Sequence, residues 1–127
     1  MSEWTVVYTE QAERDLRSIF EYIAFSLLEP EIAKNQSQRI MDVVAKLNEM
    51  PLRHHLYEKE PWHSKGLRVL LIDNFLAFYL PVEEKTTVAV IRIMFPNPYM
   101  GRRMLEGRRT ENENSTDYVY KGEKGLG

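Results

Sequence analysis

Cysteine is absent from this chain of 127 residues, and with it go disulfide frameworks, thiolate metal sites and thiol nucleophiles. No apolar run reaches the roughly 18 residues that a membrane-spanning helix needs, and the opening "MSEWTVVYTEQ" carries acid where a signal peptide would carry basic residues. A cytoplasmic protein without membrane contact is therefore expected. Net charge is also scarce at −2, so the chain as a whole does not advertise nucleic-acid binding. What is present is 43% hydrophobic and 28% charged residues, enough for one ordinary globular domain. Neither a cofactor nor a metal is called for by any spacing in the sequence.

The charge is unevenly spread. Acid gathers in the first half, whereas Arg53, His54, His55, Lys59, His63, Lys65 and Arg68 follow closely, and Arg102, Arg103, Arg108 and Arg109 come near the end. Such clusters are either solvated loop surface or local anion-binding patches.

Along the chain, "EWTVVYT" alternates β-branched and aromatic residues and predicts a strand, with Thr9 placed to cap a helix. Ala12, Leu16, Ile19, Phe20, Ile23 and Leu27 recur at helical spacing to about Leu28. Pro30 breaks that helix and suits the first turn of a second, whose stripe runs from Ile32 to Leu47 before Pro51 ends it. Residues Leu52 to Gly66 have no period and predict a loop. Three apolar runs follow, Leu67–Ile72, Phe75–Val82 and about Thr86–Phe95, separated by two turns. The order β-α-α-β-β-β predicts an α+β fold, a helical hairpin packed on one face of a twisted antiparallel sheet. Residues 1–105 form the expected domain, and 106–127, rich in Gly, Asn, Glu and Lys, the expected flexible tail.

Turn lengths predict the register. A two-residue turn at Asp73-Asn74 pairs Ile72 with Phe75, Leu70 with Ala77 and Arg68 with Tyr79; a four-residue loop pairs Val82 with Thr87, Tyr79 with Val90 and Ala77 with Arg92. One face then holds Leu67, Val69, Leu71, Leu76, Phe78, Leu80, Ala89, Ile91 and Ile93, all apolar, and is the face the helices are expected to cover. The other holds Arg68, Leu70, Tyr79, Arg92 and Met94 among apolar neighbours. An uncovered, partly apolar face with two arginines predicts a binding surface.

The segments "YTEQAERDLRSIFEYI" and "YEKEPWHSKGLRVLLIDNFLAFYLPVEEKTTVAVIRIMF", with "GRR" at Gly101–Arg103, resemble the RelE/ParE superfamily of bacterial type II toxin–antitoxin toxins over roughly residues 3 to 105. That resemblance implies a growth-inhibiting toxin of a plasmid-stabilisation module, neutralised by a cognate antitoxin encoded nearby. It implies either a dimer or a toxin–antitoxin hetero-oligomer. The target is either the ribosome, through mRNA cleavage, or DNA gyrase, through binding alone; a degenerate antitoxin-binding module is the remaining alternative. For cleavage the resemblance places Arg68 and Arg92 at the phosphate, with His63 and Tyr99 as further catalytic candidates. Lys59, Lys65, Arg102 and Arg103 become candidate phosphate-binding residues, and Leu70, Tyr79 and Met94 candidate antitoxin contacts. The chain departs from cleaving members at the end of the last strand, where they often carry histidine or tyrosine and it has Met94 and Phe95.

Overall fold

A computed structural model describes residues 3–95. Strand β1 (Thr5–Tyr8) leads into α1 (Glu10–Glu21), which continues as a π-helical turn over Tyr22–Ser26. Helix α2 (Pro30–Ala45) returns, and a short helix α3 (Trp62–Lys65) precedes β2 (Arg68–Ile72), β3 (Phe75–Val82) and β4 (Thr87–Met94). Thr9 caps α1, accepting a hydrogen bond from the Ala12 N–H at 3.1 Å. Its hydroxyl also donates to the Val90 carbonyl at 2.9 Å, which fastens the start of α1 to β4. Pro30 occupies the first turn of α2, where its missing N–H costs nothing. Among the described residues no helix is long and apolar enough to cross a membrane.

The sheet order is β1-β4-β3-β2. The last three strands are antiparallel as expected, and β1 adds to them in parallel, from Thr5 opposite Thr87 to Tyr8 opposite Val90. The β2–β3 register is the predicted one throughout. Between β3 and β4 it agrees from Val82–Thr87 to Tyr79–Val90, and then a bulge inserts Ile91 without a partner. Arg92 therefore opposes Phe78 instead of Ala77, and Met94 opposes Leu76.

The assignment of faces is reversed. The helices cover the face of Leu70, Ile72, Phe75, Ala77, Tyr79, Val88 and Val90, which pack with Ala12, Ile40, Val44 and Leu47. The face expected to lie beneath them, with Leu67, Phe78, Ala89 and Ile91, packs instead on Tyr57 and Trp62 from the segment read as a loop. Both faces are thus buried. The expectation failed because it treated two arginines as marking an exposed face; Arg68 escapes by standing on the first rung of an edge strand, and Arg92 through the bulge. Leu71, expected in the core, lies on edge strand β2 and is 65% exposed.

Candidate functional site

The two strand arginines occupy opposite environments. Arg92 is 8% exposed and forms a bidentate ion pair with Asp15 of α1, Nε to Oδ2 at 2.8 Å and Nη2 to Oδ1 at 2.9 Å. Asp15 also accepts the backbone N–H of Ile93 at 3.0 Å. Strand β1 has ended by this point, so the helix carboxylate takes the donor that a longer β1 would have paired. Both side chains are about nine-tenths buried, and the charge of Asp15 is compensated by Arg92.

Arg68 is partly buried on edge strand β2, on the far side of β3 from Arg92. Its Nη1 donates to the His54 carbonyl at 2.7 Å, while its Nε is buried without a hydrogen-bond partner among the described residues. Its neighbour Tyr79 is fully buried and donates from its hydroxyl to the Pro51 carbonyl at 2.6 Å. Burial pushes the Tyr79 phenol up to about 12, although Arg68 and Arg53 pull in the other direction. A phenol held so high keeps its proton at neutral pH. Burial also lowers His54 from its ordinary value, assisted by the charges of Arg53, His55 and Arg68.

The remaining candidates are dispersed. His63 lies on α3 with Nδ1 3.7 Å from Glu60 Oε2, and both side chains are about half exposed. Lys59 and Lys65 are exposed. Leu70, Tyr79 and Met94 are buried at 8%, 0% and 4% exposure, so the open apolar face on which they were expected to meet a partner does not exist in this arrangement. Tyr99, Arg102, Arg103 and the expected tail 106–127 lie outside the described residues, as does the expected domain boundary at 105.

Exposed apolar surface is found elsewhere. A groove of about 600 Å³ opens between the π-helical turn, the start of α2, the start of β3 and the end of β4. Tyr22, Ile23, Leu27, Ile32, Phe75 and Phe95 line it, and Asp15 reaches it from α1. Tyr22, Leu27, Ile32 and Phe95 are each more than half exposed, and Phe25 and Leu28 are exposed at the tip of the hairpin as well. Leu28 turns the chain there with a positive φ of 58°.

Sequence reasoning missed Asp15, although its signal was available: it stands three residues after Ala12 and four before Ile19, inside the apolar stripe of α1. A carboxylate in such a stripe requires a buried cation, and Arg92 is that cation. It also missed Tyr57 and Trp62 as cover for the second face, since an aperiodic segment shows no stripe.

Residues 6–94 match the family described as ParE toxin of type II toxin–antitoxin system, parDE. The chain belongs to this family and is the toxin component of a type II toxin–antitoxin system. None of the curated proteins matches it. Among solved structures it is similar to a chain of the chromosomal ParDE system of P. aeruginosa, with a TM-score of 0.63 and 23% identity over 75% of this chain and 98% of that one. It is similar also to a chain of a RelBE toxin–antitoxin complex from Mycobacterium tuberculosis, with a TM-score of 0.54 and 22% identity over 74% and 99%. An E. coli RelE variant in the free state gives 0.53 and 12% over 84% and 93%. At these identities the structural likenesses speak for the fold, and the family match carries the class.

Proposed function

We propose that this toxin arrests growth by binding DNA gyrase, without hydrolysing RNA, and that a cognate antitoxin neutralises it. The observation that carries this reading is the Asp15–Arg92 pair. Cleavage by attack of a ribose 2′-hydroxyl needs a cation free to meet the pentavalent phosphate and a group able to move a proton. Arg92 is buried against a carboxylate at 2.8 Å, and moving it to a substrate would strand Asp15. Tyr79, the tyrosine nearest Arg68 in the ladder, is held too high and too deep to serve as an acid. Met94 and Phe95 bring neither histidine nor tyrosine to the end of β4. Arg68 keeps its charge beside His54, but the second cation that the resemblance places at the phosphate is committed to Asp15, and binding alone does not need that second cation.

The apolar groove suits the antitoxin. Its volume and its exposed Tyr22, Leu27, Ile32 and Phe95 fit an amphipathic segment that folds on contact. The test is to induce the chain in cells and to add the purified protein to gyrase in vitro. Growth arrest with inhibited supercoiling and no new RNA 5′ ends inside translated codons is the expected result. Unchanged supercoiling, accompanied by codon-positioned cuts, would overturn the proposal in favour of a ribosome-dependent nuclease.

A further inference from the structure

The tip of the helical hairpin, from Glu21 to Ala33, holds three carboxylates and no lysine or arginine. Glu21, Glu29 and Glu31 are all exposed, and among the described residues none of them forms an ion pair. Arg17 precedes them on α1 and Lys34 follows on α2, and neither pairs with them. Glu29 lines the apolar groove, and Glu21 and Glu31 are the chain neighbours of its lining residues Tyr22 and Ile32. The groove's other acid, Asp15, already has its charge matched by Arg92. Carboxylates collected without counter-charge repel one another, and cations brought by a partner relieve that repulsion.

The same surroundings limit the form of the occupant. Asp15 accepts the Ile93 N–H at 3.0 Å, so a strand added along this part of β4 would find that donor taken. A helix satisfies its own backbone and offers apolar side chains at three- and four-residue spacing to a groove floored by Ile23, Phe75 and Ile93. A second copy of this chain is a poor occupant. Its most exposed apolar tip carries the same three acids, which would face their own kind across the contact.

We propose that the groove selects an amphipathic helix with a basic margin, its lysines or arginines meeting Glu21, Glu29 and Glu31. The inference rests on the reading of the groove as the antitoxin's seat, and adds to it the charge of the segment received. Apolar contact supplies the hold, and the three acids supply the choice: a segment with the same apolar stripe and an acidic margin is repelled. Glu21, Glu29 and Glu31 are thereby the residues that tell a cognate segment from a merely amphipathic one.

The test uses the full chain and two synthetic peptides with the same leucines at helical spacing, one with lysine and one with glutamate on the polar side. The lysine peptide is expected to bind roughly tenfold more tightly at low salt, and the preference to shrink as salt is added. Glu29→Gln combined with Glu31→Gln, at exposed positions and with thermal midpoints as the check on folding, should remove most of the preference. Ile32→Asp, at a side chain 53% exposed, should weaken the lysine peptide although it adds a negative charge. Equal affinity for the two peptides, or a preference that the glutamine variant keeps, would overturn the assignment of charge while leaving the groove as a seat. Absence of binding by either peptide, or tighter binding of the lysine peptide to Ile32→Asp, would sink the seat itself. Affinity that rises when Arg102, Arg103, Arg108 and Arg109 are changed to glutamine would make the chain's own basic segment the occupant and overturn the assignment to a second polypeptide. None of these readouts depends on gyrase.

Discussion

On β4 Arg92 meets Asp15 in a nearly dry, bidentate pair; on β2, across β3, Arg68 meets, among the described residues, only a backbone carbonyl beside further cations. The same residue type in the same sheet thus does two kinds of work. Where the arginine is matched by a carboxylate, it joins α1 to β4 and is lost to chemistry. Where it is matched by a carbonyl, its charge is left over and the surface around it becomes positive. Polar atoms near a strand are therefore not evidence of function until their partners are known.

The contrast can be broken most severely at the matched arginine. Asp15→Ala takes the bidentate carboxylate from the buried Arg92 and should cost about 3–5 kcal/mol in urea unfolding. The double change Asp15→Leu with Arg92→Met should recover most of that loss, because two apolar groups need no pairing. A comparable loss, about 3–5 kcal/mol, is expected for Phe78→Ala, which is fully buried between Tyr57 and the β4 side chains, with its ring 5.1 Å from that of Tyr57. Leu71→Ala, at a side chain 65% exposed, should stay below about 1 kcal/mol, and equal losses at the two positions would contradict the reversed assignment of faces.

At the other arginine, Arg68→Ala removes one charge-assisted hydrogen bond, and about 1.5–3 kcal/mol is expected by the same measurement. The smallest effect belongs to His54. Its folded-state pKa lies below its ordinary value, so the folded protein favours the neutral ring. The stability this confers is present in full above pH ~6.5 and is lost as pH falls through the folded value. Unfolding midpoints followed from pH 8 to pH 5 should therefore drop less steeply in His54→Gln than in the parent chain, and parallel curves would show that the cluster does not act on this histidine.

Much of the fold was legible in the residues. Thr9, Pro30 and the apolar periods locate the helices, and the Asp73-Asn74 turn predicts the whole β2–β3 register. The bulge at Ile91 was not legible, since Thr87 to Ile93 alternate no differently on its two sides. Nor was the choice of face: both faces of the three antiparallel strands are rich in apolar residues, and what decides between them is which segment covers which. Tyr57 and Trp62 lie in a stretch with no period at all, so their role emerges only when the chain is folded. The basic segment was half visible, as a run of cations between Arg53 and Arg68; that the His54 carbonyl, and no described carboxylate, holds Arg68 depends on how the chain folds.

Asp15 has one more consequence, for colloidal behaviour. A sheet edge with an unpaired N–H beside an apolar groove is a template on which another chain can add a strand. By accepting the Ile93 N–H, the carboxylate closes that template with a charge. Loss of Asp15 would therefore do more than loosen α1: it would bare a sticky strand end next to Tyr22 and Phe95, and the protein would be expected to precipitate before it unfolds.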